Sequence, residues 1–154
     1  MQDTITRLRA KKDDEGFTLI ELLVVVVIIG VLVAIAVPVY LNYRKGAADK
    51  SAQSDVRGAI SAVEQYYTDN SNAYPTASLV DQNTSPIVIG GQKITLSDKT
   101  HLTYYISAAG ATTYKLCAYN TGGTTNKYYV YDSANGGSVA GVTSASATFM
   151  TACS

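Results

Sequence analysis

The sequence has no tryptophan, one histidine and two cysteines among its 154 residues. With His101 as its one histidine, the chain lacks the side chains that a histidine-based nucleophile site or a histidine metal cluster would need. The two cysteines, Cys117 and Cys153, are too few for a structural zinc site, which usually has four cysteine or histidine ligands. We therefore predict a protein that is not an enzyme and that holds no metal or other cofactor.

The chain also lacks an excess of either charge, because 12 basic and 12 acidic residues give a formal net charge of zero. Nucleic-acid-binding proteins usually carry a basic excess, so we predict no nucleic-acid partner. Asp81, Asp98 and Asp132 do not follow the spacing of an EF-hand calcium loop, and we interpret them as solvated loop charges. Because the sequence offers His101 no second histidine, we interpret it as a surface or turn residue.

What the sequence does contain is one long apolar segment, residues 17–39, in which Glu21 is the one charged residue. About 20 apolar residues cross the hydrocarbon core of a bilayer, so this length predicts a membrane-spanning helix. The segment is longer than the apolar core of a signal peptide, which is usually about 7–15 residues. A plain membrane anchor explains the length but not Glu21, because a carboxylate inside a membrane costs about 3 kcal/mol. Two interpretations stay open: Glu21 lies near the interface and reaches out of the bilayer, or it has a function.

Basic residues flank the apolar segment on both sides, and their balance predicts its orientation. Four precede it (Arg7, Arg9, Lys11 and Lys12) and three follow it (Arg44, Lys45 and Lys50). The cytoplasmic side of a membrane helix usually carries the basic excess, so we predict a cytoplasmic N-terminus. The three basic residues after the segment argue weakly for the opposite orientation. The region after the segment would then be exported, and in an oxidising compartment its two cysteines are expected to form a disulfide.

Two residues weaken the helix within the apolar segment. Gly30 has the poorest helix propensity of any residue other than proline. Pro38 lacks an N–H group and clashes with the carbonyl group four residues earlier, which kinks or loosens a helix. We predict that the stretch between these two residues is the softest part of the segment.

Beyond the apolar segment, the sequence predicts a helix that continues to about residue 69. Its apolar residues recur at spacings of four, three and four, which places them in one stripe along a helix. They are Val56, Ile60, Val63 and Tyr67. Small residues, among them Ala52 and Ala59, are assigned to the other faces. The stripe predicts that this half of the helix packs against a globular domain.

After the helix, segments rich in β-branched residues and tyrosine predict strands at residues 102–107, 113–119 and 127–132. We expect an antiparallel meander of three or four strands that covers the apolar stripe. The tail, residues 136–154, contains apolar residues that it can bury, namely Val139, Val142, Phe149 and Met150. The predicted fold class is α+β: a long N-terminal helix packed against a small antiparallel sheet, with the tail tied down by a disulfide.

The start of the apolar segment carries a specific motif. The run Gly16-Phe17-Thr18-Leu19-Ile20-Glu21, with its continuation to Pro38, resembles the processing and assembly motif of the type IV pilin superfamily. The resemblance implies that a prepilin peptidase in the membrane cuts between Gly16 and Phe17 and then methylates the new amine of Phe17. It also implies that Glu21 is needed for fibre assembly, with the Phe17 amine of a neighbouring subunit as its partner.

The resemblance further implies an order of domains and a function. Residues 1–16 would be a cleaved leader, residues 17–41 a transmembrane and assembly helix, and residues 42–154 a globular pilin domain. The chain would begin as a single-pass precursor in the lipid of the cytoplasmic membrane. With the pilus assembly machinery it would then polymerise with copies of itself into a surface filament.

One departure and two alternatives accompany this interpretation. Family leaders often place a basic residue directly before the glycine, whereas residues 13–15 of this chain are acidic. The alternatives are a pseudopilin of a type II secretion or competence system, and a membrane-tethered binding module. An intact Glu21 favours self-assembly over tethering, because a tether has no use for the charge.

Overall fold

The computed structural model describes residues 16–154. The predicted leader therefore lies outside the described residues except for Gly16, and so do the four basic residues that precede the apolar segment. The chain divides into two compact units, one that ends at Tyr40 and one that spans Leu41–Ser154. One helix, α1 (Leu19–Asp69), contributes residues to both units and confirms the long N-terminal helix that the sequence predicts.

The first unit presents an apolar helical surface. From Phe17 to Tyr40 every large apolar side chain is at least 46% exposed. The most apolar 18-residue window of α1 has a mean hydropathy of 3.3, which together with its length is enough to cross a membrane. A contiguous apolar surface of this size marks a site that contacts lipid or protein. Gly30 and Pro38 both lie inside α1, which is continuous across them, so the softening of this stretch stays a prediction.

In the second unit, α1 buries a different stripe from the one that the sequence predicts. Its fully buried apolar residues are Ala52, Val56, Ala59 and Val63. Ile60 and Tyr67, which were expected in the core, are half-buried. Ala52 and Ala59 were assigned to faces other than the buried stripe, and that assignment is wrong. Small side chains let a helix approach its neighbours closely, so burial here follows from packing and not from the size of the apolar group.

A five-stranded antiparallel sheet packs with that stripe in one hydrophobic core. Its strands are β1 (Leu79–Gln82), β4 (Thr100–Ile106), β5 (Tyr114–Asn120), β6 (Lys127–Asp132) and β7 (Ala140–Thr143), in the spatial order β1-β4-β5-β6-β7. The central three confirm the predicted strands with small shifts at their ends. Tyr104, Tyr114 and Leu116 point into the core from β4 and β5. The predicted α+β class is confirmed, with one more strand than the expected three or four.

A separate hairpin of β2 (Ile87–Ile89) and β3 (Gln92–Ile94) adds Ile87, Ile89 and Ile94 to the core. Its turn is Gly90-Gly91, and both residues have positive φ angles, 57° and 88°. That conformation suits the two-residue turns of hairpins and is rarely open to residues with a side chain. A Cβ atom at Gly90 would also overlap the ring of Tyr66, so glycine is required there for two reasons.

The tail is fastened to the opposite face of the sheet. Cys117 of β5 and Cys153 form a disulfide, which confirms the predicted pair. Both are buried with Phe149 of the short helix α2 (Phe149–Ala152) in a second apolar cluster. Cys117 lies on this face because side chains alternate along β5, whose Leu116 and Ala118 enter the main core. Of the other apolar tail residues, Val139 is buried, Met150 is half-buried and Val142 is exposed.

Candidate assembly site

The N-terminal end of α1 holds the residues that the sequence singles out for processing and assembly. Thr18 donates hydrogen bonds from its backbone N and from Oγ1 to Oε2 of Glu21, at 2.8 and 2.6 Å. The backbone N of Glu21 donates to Oγ1 of Thr18 at 3.3 Å. This reciprocal pattern is a capping box, which satisfies N–H groups that have no partner within the helix. Glu21 therefore helps to cap the N-terminal end of α1 in addition to carrying a charge there.

Thr18 belongs to this site, although the sequence analysis did not single it out. The signal was present, because Thr-x-x-Glu directly before an apolar run is the sequence mark of a capping box. Gly16 and Phe17 precede the helix, and both are exposed. No described atom lies within 4 Å of the position that a Cβ atom of Gly16 would occupy. The peptide bond between them is therefore open to an approaching protein.

Asp49 fixes the second half of α1 to the turn between β5 and β6. Its carboxylate accepts hydrogen bonds from N and Oγ1 of Thr124, at 2.9 and 2.8 Å, and from Nζ of Lys127 at 3.1 Å. Burial by itself raises the pKa of Asp49, but the bonds from Thr124 and Lys127 outweigh it and hold the pKa below its ordinary value. A Cβ atom at Gly123 would collide with this carboxylate.

Two more carboxylates of α1 accept hydrogen bonds, one from the loop before β4 and one from strand β5. Asp55 accepts from the backbone N and Oγ of Ser97, at 2.8 and 3.0 Å. Glu64 accepts from the hydroxyl group of Tyr114 at 2.6 Å. Burial, together with the nearby Glu64, raises the pKa of Tyr114 well above its usual range. No sequence pattern predicts these hydrogen bonds, apart from the poor helix propensity of aspartate in a helix interior.

His101 lies in strand β4 and not in a turn, which corrects part of its interpretation. Its Nδ1 is 2.9 Å from Oδ1 of Asp81, and its ring stacks on that of Tyr119 at 4.7 Å between centroids. Asp81 lies in strand β1 and not in a loop. Within residues 16–154, no three His, Cys, Asp or Glu side chains meet in a group that could hold a metal ion. The polar clusters of this unit join one element to another.

Comparison with known proteins places these features in a family. Residues 11–37 match the family of the prokaryotic N-terminal methylation motif. The chain is 34% identical over 113 residues to the type IV wide pilus major component PilA4 of Thermus thermophilus, a match that covers 73% of this chain and 79% of that protein. It is 39% identical over 84 residues to the type II secretion system core protein G of Escherichia coli, covering 51% of this chain and 57% of that protein.

The two kinds of relative differ in how far the similarity extends. The match to the pilus component runs through most of both proteins, whereas the chain spans little more than half of the Escherichia coli secretion protein. The matched motif and the apolar helix fit a membrane-anchored precursor. Taken with the α+β fold and the disulfide-tied tail, these similarities show that the chain belongs to the type IV pilin superfamily, whose members are structural subunits and not enzymes.

Proposed function

We propose that the chain is the structural subunit of a type IV pilus and polymerises through the apolar part of α1 into a filament on the cell surface. The observation that carries the proposal is Glu21, a charged residue four places after Phe17 in a segment, residues 17–40, whose large apolar side chains are all exposed. Such a surface is stable in lipid before assembly and against copies of itself afterwards. A helix that served as an anchor would gain nothing from the charge.

The proposal gives Glu21 a partner in the filament. Cleavage between Gly16 and Phe17 creates an amine at Phe17, which is then methylated and stays positively charged. An unpaired charge in an apolar filament core is costly, so the Phe17 amine of one copy pairs with Glu21 of a neighbouring copy. A copy that enters in the wrong register leaves both charges unpaired. The pair therefore selects the register of assembly.

The route to the filament follows from the same residues. The precursor resides in the cytoplasmic membrane with its N-terminus in the cytoplasm, as the basic residues before the apolar segment favour. Its partners are the prepilin peptidase, the pilus assembly machinery, membrane lipid and other copies of the chain. The leader would end at Gly16, the assembly helix would comprise residues 17–41, and the globular pilin domain would comprise residues 42–154.

Two observations favour a pilus subunit over a pseudopilin. The similarity to the Thermus pilus component covers 79% of that protein, against 57% for the Escherichia coli secretion protein. The disulfide between Cys117 and Cys153 suits a domain that stays outside the cell. A pseudopilin of a secretion system is the second candidate, because several of the related proteins are secretion proteins.

The proposal is tested by replacing Glu21. Glu21→Ala should leave cleavage and membrane insertion intact, since removing a charge from an apolar segment favours insertion by up to about 3 kcal/mol. It should abolish efficient assembly, because the Phe17 amine of a neighbour would be buried without a partner. Surface filaments are counted in cells that express the variant as their one copy, and processed subunit is measured in the membrane fraction.

Glu21→Gln is the matched variant for this test. Its amide oxygen can still accept the hydrogen bonds that Thr18 donates, so the capping box survives while the charge is lost. If charge pairing drives assembly, the glutamine variant should fail as the alanine variant does. Abundant filaments from Glu21→Gln would show that the carboxylate serves the helix start and not the register.

A further inference from the structure

The proposed function leaves one feature of the chain unexplained. Arg44, Lys45 and Lys50 follow the apolar segment within 11 residues of Val39. They lie on the side that the proposed orientation exports, where basic residues are disfavoured next to a membrane helix. Arg44 and Lys45 line a cavity of about 350 Å³ in the second unit. These two cations, unlike Lys50, therefore belong to a shaped site.

A third cation lines the same cavity from the turn before strand β4. Lys99 lies just before β4 and lines the cavity together with Asp98. Its φ angle is 62°, a left-handed conformation that is uncommon for residues other than glycine and persists when the surroundings fix it. The backbone O of Lys99 accepts a hydrogen bond from N of Thr121 at 3.0 Å. The residues that line the cavity thus carry three positive charges, on Arg44, Lys45 and Lys99, and one negative charge, on Asp98, so the cavity attracts anions.

Hydrogen bonds of Asn120 and small residues set the shape of the remaining cavity wall. Nδ2 of Asn120 donates to the backbone O of Asp98 at 2.8 Å, and Oδ1 of Asn120 accepts from N of Gly122 at 2.9 Å. These bonds join the loop before β4 to the end of β5. A Cβ atom at Gly122 would lie 3.3 Å from Oδ1 of Asn120 and 3.8 Å from Cβ of Ala48. Because Gly122 and Ala48 have little or no side chain, they leave space in this part of the cavity.

We propose that this cavity binds the phosphate group of an anionic lipid while the subunit resides in the membrane. The inference rests on the proposed function, because it concerns the stage before assembly. Arg44 comes five residues after the last apolar residue of the segment, within the stretch where basic residues meet headgroups. Arginine and lysine both bind phosphate, arginine through its planar fork and lysine as a point charge.

The lining also favours a lipid over a neighbour's carboxylate. Leu41 contributes an apolar edge to a cavity that is otherwise lined by charged, polar and small residues. A lipid fits this lining, because its phosphate can contact the basic residues while its acyl chain contacts Leu41. A carboxylate on the polar surface of a neighbouring subunit would make no apolar contact with Leu41. Long basic side chains lay their apolar stems along lipid while the charged ends stay with the headgroups. Binding there would hold the subunit in the exported leaflet until a neighbour displaces it.

The test measures the lipid that the full chain retains in detergent, counted by native mass spectrometry. The probes are phosphatidylglycerol, phosphatidylcholine and, as a competitor, inorganic phosphate. The wild type should prefer phosphatidylglycerol. The double variant Lys45→Gln/Lys99→Gln should bind it about twenty-five-fold more weakly, which is about fivefold for each cation removed. Lys50→Gln is the matched control, since Lys50 follows the same segment but is not among the lining residues, and it should bind as the wild type does.

Several outcomes would overturn the proposal. Equal retention of the two lipids would show that the cavity does not select an anionic lipid. Undiminished retention by the double variant would show that the lipid binds elsewhere. Displacement by an equal concentration of inorganic phosphate would indicate a site for free anions. If the double variant keeps its lipid but forms fewer filaments, the cavity contacts a neighbouring subunit. Lipid retention is measured without filaments, so a wild type that forms no filaments would count against the proposed function and not against the cavity. Circular dichroism and the intact disulfide establish that each variant folds.

Discussion

At the scale of single residues, buried carboxylates do more in this protein than the apolar pattern suggests. Asp49 is 4% exposed and accepts three hydrogen bonds from Thr124 and Lys127. A buried carboxylate is tolerated when bonds of this kind replace its hydration, and losing them leaves an expensive polar group. Further along α1, the carboxylate of Asp55 accepts a hydrogen bond from Ser97, and that of Glu64 accepts one from Tyr114. These three residues hold the helix to the sheet at defined positions.

Asp49→Asn should lower the free energy of unfolding by about 1–3 kcal/mol at neutral pH, because hydrogen bonds to a charged group are replaced by weaker ones. The pKa of Asp49 is lower in the folded chain than its ordinary value of 3.8. Its contribution is therefore complete above that pH and is lost as the pH falls through the folded pKa. Urea unfolding of the full chain in detergent, at several pH values, measures both effects.

Asp69→Asn provides the control for this prediction. Asp69 is the exposed last residue of α1 and accepts a hydrogen bond from Nε2 of Gln65 at 2.9 Å. Its replacement should change stability by less than about 0.5 kcal/mol. If the difference between wild type and Asp49→Asn does not shrink in acid, the hydrogen-bonded carboxylate is not its source.

A second prediction at this scale concerns processing. The subunit recovered from filaments should begin at Phe17 and carry one methyl group on its amine. The basis is the open bond between Gly16 and Phe17, which lies within the matched methylation motif. Intact-mass measurement with N-terminal peptide mapping gives the answer. Recovery of filaments built from uncut chain would contradict it, and Gly16→Val should block the cut by adding a branched side chain beside the bond.

At the scale of elements, the tail is the part of the fold that depends most on a single bond. Strand β7 is exposed along its whole length and is held by its pairing with β6, whereas α2 has four residues and is too short to be stable alone. The disulfide between Cys117 and Cys153, 36 residues apart, ties the end of the tail to the sheet. Phe149, buried beside it and stacked on Tyr128 at 4.3 Å, adds apolar contact.

Replacing both cysteines, as Cys117→Ala/Cys153→Ala, should lower stability by roughly 3–4 kcal/mol, the chain-entropy value for a loop of this length. The tail should also become sensitive to protease while β4, β5 and β6 stay protected, because their hydrogen bonds do not depend on the disulfide. Limited proteolysis followed by mass spectrometry locates the cuts. Reduction of the wild type should reproduce the result, and non-reducing peptide mapping of exported protein should show one linked pair. Cleavage spread evenly over the sheet would mean that the disulfide supports the whole unit.

At the scale of the whole molecule, the exposed apolar helix and the anchored globular unit suit repeated assembly of one chain. In the proposed filament, the helix supplies a surface that is stable in lipid or against copies of itself, and Glu21 supplies the charge that distinguishes one register from another. The globular unit has a hydrophobic core of its own. The proposal therefore assigns filament formation to the N-terminal residues.

Deletion of the gene should remove surface filaments, and expression of the wild-type chain should restore them. Electron microscopy of intact cells counts the filaments, and labelled antibody against the chain identifies it along them. A pseudopilin would behave differently, since its loss would reduce protein secretion while surface filaments persisted. Measuring secreted protein from the same cultures separates the two candidates.

The amino-acid sequence by itself determined what depends on local order. The apolar length of residues 17–39, the motif from Gly16 to Glu21 and the three tyrosine-rich strands each follow from neighbours along the chain. For that reason the family, the α+β class and the disulfide were predictable. Tertiary structure decided the rest, because burial depends on which distant element covers a residue. Ala52 and Ala59 enter the core since the sheet lies over their face, and Asp49 is buried since the turn at Thr124 reaches it. Edge strands β1 and β7 exist through hydrogen bonds to β4 and β6, which no local pattern of four residues specifies.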